Sequence, residues 1–327
     1  MTCSVVIPSH NGRQWLERCL PLVQAAPALS VEILIADNGS TDGTAAWLAT
    51  AWPGVTCIEI ATPLGFAAAC NLAAARASGD WLVFLNNDTE PAVGWLDVLV
   101  DTAIATGERT LVTALLVHLH DGTTIDSAGD GYAWWGAAFK HGHGRPAASF
   151  QTRRPVFGAC GAAFAIHRGF FSALGGFDEA FGSVYEDVDL SVRARLAGGH
   201  CRFAPDAVVY HVGSATLGVQ SEASIRQSQR NLEWTWLGNF PWPVLLLTAG
   251  PHLLYEVIAA VWFLRIGRFG AFVGAKRDAL RGLPHVLRKR RLARRLRSAP
   301  AVSLLAAMSA PPLIGKWAEK RFTRSRP

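Results

Sequence analysis

The chain has 327 residues, half of them apolar, which is enough for one large or two ordinary domains with a buried core. Its six cysteines include no C-x-x-C pair, which argues against structural zinc and against a disulfide framework. Residues 265–327 carry 17 lysines and arginines against two acids, while residues 1–264 have a net charge of −9, so an acidic body precedes a basic segment that suits an anionic partner.

The first third of the sequence alternates short apolar runs with segments of helical character. The apolar runs are residues 3–8, 31–36, 55–60 and 81–85, and the helical segments between them are residues 15–23, 45–51 and 64–77. Runs of this length suit strands that are buried on both faces. The resulting β-α-β-α-β-α-β order predicts an α/β fold with a doubly wound parallel sheet and right-handed crossovers.

Acidic side chains follow two of these strands. Asp88 comes directly after the run at 81–85, and Asp37 follows the run at 31–36. Ligands of an open α/β sheet bind beyond the carboxyl ends of its strands. Asp88 can therefore hold Mg²⁺ or Mn²⁺, and Asp37 can accept from a base N–H or a ribose hydroxyl. Helix or turn capping is the alternative for both residues.

Two common nucleotide motifs are absent from the sequence. No G-x-G-x-x-G follows the first strand, which excludes the dinucleotide fingerprint, and no G-x-x-x-x-G-K-[ST] occurs, which excludes a P-loop. The strand ends instead carry Asp37, Asp42 and Asp88.

The middle of the chain is less regular. A helix is predicted from Trp95 and strands over 111–117 and 156–168, whereas residues 118–155 show little periodicity. Four histidines in or next to that stretch lack the spacing of metal ligands and are interpreted as loop residues: His118, His120, His141 and His143. Trp134 and Trp135 suit either core packing or stacking on a sugar.

A second polar group lies between residues 174 and 216. A helix is predicted to begin near Glu186 and Asp187, where the helix dipole favours anions, so a purely structural role competes with catalysis for both. Asp189 and Arg193 are four residues apart and can pair on the helix surface. His211 follows a strand predicted within 201–210, and a ligand role competes with a structural one.

Six segments, in this order, resemble the family 2 glycosyltransferases. They are VVIPSHNG, IADNGSTDGT, LGFAAACN, FLNNDTEP, GGFDEAFGSVYEDVDLSVR and YHVGS, and they span residues 3–230. Each segment alone is weak, but six in order are specific. The subgroup that the sequence resembles most is the bacterial rhamnosyltransferase-like enzymes of cell-surface polysaccharide synthesis.

The resemblance implies a GT-A fold, a Rossmann-like mostly parallel sheet flanked by helices. It also implies a nucleotide-sugar donor, Mn²⁺ or Mg²⁺ as cofactor, and inversion at the anomeric carbon. Residues 1–230 would form the catalytic domain, with a nucleotide-binding half over about 1–117 and an acceptor half over about 118–230. Residues 231–327 would form a helical extension.

The resemblance also assigns site residues. The D-x-D metal motif falls on Asn86, Asn87 and Asp88, so Asp88 is the expected carboxylate ligand, and His211 completes the metal site. The catalytic base falls on Glu186 or Asp187, and Asp187 is favoured. The residues expected to bind the nucleotide sugar are Pro8, Ser9, Asn11, Asp37, Gly65, Asn71, Asn87 and Asp88. The tyrosine usual in the first loop is His10 here.

The C-terminal extension suits a membrane surface. Residues 244–264 are long and apolar enough to span a bilayer, but Pro251, His252 and Glu256 make a simple span costly. Residues 265–297 alternate apolar with basic residues, as in an amphipathic helix on an anionic leaflet. The aliphatic content favours lipid over nucleic acid as the partner, and solvated helical cover over the catalytic body is the third interpretation.

These observations favour an inverting, metal-dependent glycosyltransferase of cell-surface polysaccharide synthesis, with a glycan or lipid-linked glycan acceptor. A thymidine-diphospho-rhamnose donor and uridine-diphosphate sugars are both compatible with Asp37. The alternatives are a polyprenyl-phosphate sugar synthase and an inactive nucleotide-sugar-binding protein, which only Asn86 favours. Because no signal peptide is evident at the N-terminus, we expect the protein at the cytoplasmic face of the inner membrane, with residues 244–264 either lying on the membrane or spanning it.

Overall fold

The computed structural model describes residues 2–25, 30–213 and 221–310 of the chain. The strands are β1 (Thr2–Ser9), β2 (Ser30–Asp37), β3 (Thr56–Glu59), β4 (Trp81–Leu85), β5 (Thr89–Pro91), β6 (Thr110–His118), β7 (Ile125–Ser127), β8 (Asp130–Tyr132), β9 (Ala138–Lys140), β10 (Arg154–Val156), β11 (Ala163–His167) and β12 (His200–His211). The α-helices are α1 (Arg13–Gln24), α2 (Thr44–Ala51), α3 (Phe66–Arg76), α4 (Trp95–Thr106), α5 (Arg168–Ala173), α6 (Glu186–Leu196), α7 (Glu222–Asn239), α8 (Trp242–Arg265), α9 (Phe269–Arg281), α10 (Leu283–Leu296) and α11 (Ala301–Ala307).

One mixed sheet forms the centre of the protein. Its strand order is β10-β12-β6-β11-β4-β1-β2-β3, with β5 paired to β12 and β7 paired to β6. Strands β1 to β4 are parallel, as the sequence predicts, and β6 and β12 form a second parallel pair. The mostly parallel, helix-flanked fold is thus confirmed.

Strand β11 is antiparallel to both of its neighbours, β4 and β6, and joins the two parallel parts of the sheet. The single strand predicted over 156–168 was therefore too long, because β10 ends at Val156 and β11 begins at Ala163. The intervening loop lies against helix α6. A Cβ added to Gly158 would lie 2.7 Å from the side chain of Ser191, and one added to Gly161 would lie 3.0 Å from Asp187. The small residues of this loop let the helix approach.

The sheet is packed on both faces. Every residue of β4 is buried, which explains its unbroken apolar sequence. On one face, Phe84 contacts the rings of Phe164, Phe171 and Phe177 at centroid distances of 5.0 to 5.1 Å. Helices α1 and α4 cover the other face through buried residues that include Leu16. Burial of each large apolar side chain contributes about 1.5–3 kcal/mol, so these two cores fix the positions of the strand ends.

The C-terminal helices α7 to α11 pack around α6 and on one another. The basic segment predicted as one amphipathic helix is two helices, α9 and α10, which meet at Gly282. Helix α10 buries Val286, Lys289 and Ala293, so one of its faces belongs to the protein interior. The pair of Asp189 and Arg193 is also buried and not on the surface as predicted, with a distance of 2.9 Å between Oδ2 and Nε.

Among the described residues, one helix, α8, has the length and the apolar composition needed to cross a membrane. Within its most apolar stretch, 33% of the residues are buried in the protein. The buried residues recur every three or four positions and so lie on one side: Val244, Leu245, Thr248, His252, Tyr255, Ala259 and Phe263.

Candidate active site

Asp88 and His211 come from distant parts of the chain and meet at the edge of the sheet. Strand β5 pairs with the end of β12 so that Thr89 lies opposite His211. The amide of Val212 donates to the carbonyl oxygen of Asp88 at 3.1 Å. As a result, the Nε2 atom of His211 lies 3.3 Å from Oδ1 of Asp88, and both side chains are buried, with 6% and 8% of the residue exposed.

A second carboxylate orients this histidine. Asp126, in β7, accepts a hydrogen bond of 2.8 Å from Nδ1 of His211. This bond places the proton on Nδ1 and turns Nε2 toward Asp88. Burial lowers the pKa of His211, but the hydrogen bond to Asp126 and the nearby carboxylate of Asp88 raise it more, to about 9. Without a metal ion, the imidazole is therefore protonated and separates two buried carboxylates.

The pair of His211 and Asp88 fits a divalent cation. Nε2 of His211 is buried and has no hydrogen-bond partner among the described residues, although a carboxylate oxygen lies 3.3 Å away. An imidazole nitrogen and a carboxylate oxygen are both ligands of divalent metals, and two protein ligands leave positions for phosphate oxygens. The site residues predicted from the sequence for the metal are thus brought together by the fold.

Asp126 has further partners that the sequence did not indicate. Lys140 Nζ lies 2.6 Å from Oδ1 of Asp126, and Nδ1 of His143 donates to its backbone carbonyl at 2.9 Å. Burial alone would raise the pKa of Asp126, but the Lys140 ammonium and the two histidines hold it well below its usual range. The carboxylate is therefore ionised and keeps His211 in place.

The histidines interpreted as loop residues are partly placed in this cluster. His118 ends β6 and lies beside His211 in the parallel register. The ligand atoms of His118, Asp126 and His143 lie within 4.8 Å of one another. Asp126 and Lys140 are in short strands of an aperiodic region, so no local pattern connects them. The acids of this aperiodic stretch, Asp121, Asp126 and Asp130, were the available signal.

Glu186 and Asp187 begin helix α6, at the predicted position. Tyr185, which precedes them, has a left-handed backbone with φ of 72°. Asp187 accepts two backbone hydrogen bonds of 2.7 Å, from Gly161 to Oδ2 and from Val188 to Oδ1. Oε2 of the buried Glu186 has no partner among the residues that the structure describes.

The two carboxyls differ in their ionisation. Burial and the neighbouring Asp187 raise the pKa of Glu186 well above its usual value. Burial also raises the pKa of Asp187, but the amides of Gly161 and Val188 offset part of that effect. The pKa of Glu186 is therefore raised further than that of Asp187, so Asp187 is the member of the pair that ionises more readily.

One loop connects the metal-ligand pair to the carboxyl pair. Gly161 donates to Asp187, and the next residue, Ala162, accepts a hydrogen bond of 2.9 Å from the amide of Asn86 at the end of β4. The ligand atoms of Asp130, Cys160 and Asp187 also lie within 4.8 Å of one another. Both groups thus lie where β4 and β11 meet.

The predicted nucleotide-binding residues of the first two strands lie side by side. Ser9 and Asp37 are paired at the ends of β1 and β2, next to Pro8 and its partner Ala36. The side-chain Nδ2 of Asn87 donates to the hydroxyl of Ser9 at 3.0 Å. These side chains therefore share one edge of the sheet with Asp88.

Some of the predicted polar residues are engaged with the backbone. Asn11, with φ of 48°, accepts from the amide of Thr41 at 2.7 Å. Asp37 accepts from the amide of Ser40 at 3.3 Å. Asp42 accepts from the amide of Arg13 at 3.0 Å. These bonds hold the two loops of this edge together.

Gly65 and Asn71 face the loop that precedes α6. The Gly65 Cα, with φ of 87°, lies at the start of α3, where an added Cβ would be 3.5 Å from Gly182. Asn71 donates to the carbonyl of Phe177 and accepts from its amide, each at 2.9 Å. The side-chain amide of Asn71 therefore holds the loop.

Of the two adjacent tryptophans, Trp135 is buried and Trp134 is 39% exposed.

Comparisons with known proteins agree with this arrangement. The model of Glycosyl transferase family 2 matches residues 4–175, and that of Glycosyl transferase family group 2 matches residues 116–307. Over 235 residues the chain is 29% identical to the N-acetylglucosaminyl-diphospho-decaprenol L-rhamnosyltransferase of Mycobacterium tuberculosis, covering 63% of this chain and 75% of that protein. Over 109 residues it is 36% identical to glycosyltransferase AglE of Haloferax volcanii, covering 32% of this chain and 36% of AglE.

Solved GT-A structures share the fold. GalNAc-T7 with UDP, GalNAc and Mn²⁺ has a TM-score of 0.59 at 21% identity, over 74% of this chain and about half (48%) of that chain. The mannosyltransferase PcManGT of Pyrobaculum calidifontis with GDP-Man and Mn²⁺ has a TM-score of 0.55 at 18% identity, over 97% of this chain and 87% of that one. S. aureus TarS 1-349 with UDP-GlcNAc has a TM-score of 0.58 at 12% identity, over 95% and 93%.

The model of Glycosyl transferase family 2 covers more than half of the chain. The chain therefore belongs to glycosyl transferase family 2 and is a glycosyltransferase.

Proposed function

We propose that the protein is an inverting, metal-dependent glycosyltransferase that moves a sugar from a nucleoside-diphosphate donor to a hydroxyl of a lipid-linked glycan. The observation that carries this proposal is that the pair of Asp88 and His211 and the carboxyl of Asp187 border the same junction of β4 and β11. The first pair suits a metal-bound diphosphate, and the last suits a general base.

Asp88 and His211 would hold Mn²⁺ or Mg²⁺. A bound divalent ion stabilises the negative charge that develops on the leaving diphosphate. The protein's own contribution is to hold Nε2 of His211 toward Asp88, through the 2.8 Å hydrogen bond from Nδ1 to Asp126. Ser9, Asp37 and Asn87 lie on the same edge and are the proposed contacts to the nucleotide.

Asp187 would accept the proton that the acceptor hydroxyl loses as it attacks the donor sugar. A general base works best when its pKa is near the working pH, and burial raises the pKa of Asp187 in that direction. The pKa of the neighbouring Glu186 is raised further, so Glu186 is the less readily ionised member of the pair. Inversion needs no covalent intermediate, so a single base is sufficient.

The rhamnosyltransferase relative supports the finer choice of substrates. That enzyme's name describes transfer of L-rhamnose to an N-acetylglucosaminyl-diphospho-decaprenol, and it is 29% identical over 63% of this chain. A nucleotide-activated rhamnose donor and a polyprenyl-diphosphate-linked sugar acceptor are therefore the substrates that we propose. The site of action would be the cytoplasmic face of the membrane.

The donor is identified by release of nucleoside diphosphate. Purified full-length protein with Mn²⁺ and a lipid-diphosphate-linked acceptor is expected to turn over thymidine-diphospho-rhamnose or a uridine-diphosphate sugar, and EDTA is expected to abolish the reaction because the diphosphate then loses its counter-ion. Mg²⁺ is added back in a parallel reaction. Equal turnover with and without EDTA would contradict the metal dependence.

Substitution of the proposed base separates chemistry from binding. We expect Asp187→Asn to lower kcat by about 10²- to 10⁴-fold and to leave the Kd of the donor unchanged in calorimetry. In the native enzyme, kcat should fall as pH falls through the pKa of Asp187, which burial places above the usual value of about 3.9. The exposed Asp206→Asn on β12 is the matched control.

Full activity of Asp187→Asn would exclude this residue as the base. If that activity also required a polyprenyl phosphate as acceptor, the enzyme would be a polyprenyl-phosphate sugar synthase, since an acceptor phosphate needs no base.

Asp126 is expected to determine metal affinity through His211. Asp126→Asn keeps the size of the side chain but removes the charge that fixes the imidazole, so Mn²⁺ affinity should fall by about 10- to 100-fold. Titration of free Mn²⁺ by electron paramagnetic resonance measures this without turnover. Asp206→Asn should bind Mn²⁺ as the native protein does, and unchanged affinity in Asp126→Asn would show that the histidine is held by other contacts.

We also propose that the C-terminal helices lie on an anionic bilayer. The side of α8 that faces away from the protein exposes large apolar side chains at helical spacing: Trp242, Leu246, Leu247, Leu253, Leu254, Val257, Val261 and Leu264. Helices α9 and α10 add exposed leucines and arginines, which suit lipid tails and anionic headgroups. The opposite side of α8 is packed against protein through His252 and Tyr255, which favours lying on the membrane over spanning it.

Vesicle flotation tests the membrane proposal. The double substitution Leu246→Glu and Leu253→Glu is expected to weaken binding to phosphatidylglycerol vesicles by about tenfold or more, because two leucine side chains that would insert into the bilayer are replaced by charged ones. Binding should be weaker on pure phosphatidylcholine and at high salt. Val93→Glu, at a 96% exposed position of the catalytic domain, is the control. Equal binding by all three proteins would contradict the assignment of this face.

A further inference from the structure

The loop of residues 175–185 leads directly into the carboxyl pair of α6, and the C-terminal helices hold it. Helix α7 donates side-chain amides to its carbonyls. Asn231 Nδ2 donates to Phe181 at 2.9 Å and to Val184 at 2.5 Å, and Gln227 Nε2 donates to Phe181 at 2.7 Å. The segment before Glu186 is thus fixed by α7, a helix that crosses the domain boundary predicted at residue 230.

Lys289 of α10 contacts one carboxylate in this loop and one carboxylate in α6. Its Nζ lies 2.7 Å from Oδ2 of Asp178 in the loop and 2.6 Å from Oδ1 of Asp189 in α6. The lysine is only 4% exposed. One ammonium group therefore joins a residue before Asp187 in the chain to a residue two positions after it.

Asp189 is the centre of a buried network. It is fully buried, and it also accepts from Nε of Arg193 at 2.9 Å and from Nδ2 of Asn239 at 2.6 Å. Arg193 in turn donates to the carbonyls of Leu174 and Gly176, at 2.6 and 2.7 Å. Two cations and two carboxylates are thus balanced in the interior, and removal of one cation leaves an uncompensated buried charge.

The surroundings of Lys289 are shaped for its side chain. The lysine passes α7 at Gly238, where an added Cβ would lie 2.7 Å from Cδ of Lys289. Its Nζ also lies 4.9 Å from the centre of the Phe181 ring. Burial would raise the pKa of Asp178, but His285 and Lys289 hold it well below its usual range, so the loop carboxylate is charged when the lysine binds it.

We propose that Lys289 is a positioning residue for catalysis, which holds the start of α6, and hence Asp187, against the amide of Gly161. The inference rests on the proposed role of Asp187 as the base. It makes α7 and α10 part of the catalytic unit, so that the basic C-terminal segment has a role inside the enzyme as well as any role at the membrane.

The test compares substitutions of neighbouring residues on α10 in the full-length protein. Lys289→Met removes the ammonium and keeps most of the apolar stem. We expect kcat to fall by about 10- to 100-fold, as for a slight misplacement of a reacting group, with the Kd of the donor and of Mn²⁺ unchanged. Arg290→Met is the matched control, because Arg290 donates to the backbone carbonyls of Leu237 and Phe240 and stacks on Trp242, with no ion pair to a carboxylate among the described residues.

Thermal unfolding is measured on the same samples. If Lys289→Met and Arg290→Met lower Tm but only the first lowers kcat, the positioning role is supported. Unchanged kcat in a folded Lys289→Met, or a kcat loss matched by Arg290→Met at equal loss of Tm, would overturn it.

A second variant covers the case in which Lys289→Met does not fold. Asp178→Asn removes only the loop side of the network and leaves Lys289 paired with Asp189. It should lower kcat by a smaller factor, again without a change in donor affinity, and an unchanged kcat in this variant would also overturn the proposal. An error in the assignment of Asp187 as the base is detected separately, because the Asp187→Asn variant would then keep its activity whatever the Lys289 and Asp178 variants show.

Discussion

The contact of one imidazole with two buried carboxylates is the interaction on which the candidate site depends. His211 lies between Asp88, from the end of the parallel half of the sheet, and Asp126, from the short strand β7. Two buried carboxylates without a cation between them would repel each other and lose their hydration. Because His211 supplies that charge when no metal is bound, the three strand ends can come together in the folded protein.

The balance between burial and neighbouring charges also gives the acids of the site different pKa values. Lys140 and two histidines lower the pKa of Asp126, whereas burial and the neighbouring Asp187 raise the pKa of Glu186. Asp187 lies between these extremes, since two backbone amides partly offset its burial. The fold thus gives three carboxyl side chains different tendencies to ionise, through their surroundings.

Local sequence patterns predicted the parts of the structure that depend on neighbours in the chain. The apolar runs of β1 and β4 and the strand-end rule placed Asp37 and Asp88 at one edge of the sheet, and the family resemblance singled out His211 and Asp187. The antiparallel strand β11, the burial of Asp189 with Arg193, and the contacts of Asp126 with Lys140 could not be predicted in this way. Each depends on pairings between segments that have no periodic signal of their own. Lys289 is the clearest case, because a lysine in a run of basic residues gives no indication that it is buried among acids.

The most direct measurement of the central claim is anomalous X-ray scattering from crystals grown with Mn²⁺ and a nucleoside diphosphate. The account predicts a manganese peak at bonding distance from both a carboxylate oxygen of Asp88 and Nε2 of His211, with the carboxyl of Asp187 facing the same cavity. A peak held by other side chains, or a diphosphate bound away from the end of β4, would contradict it.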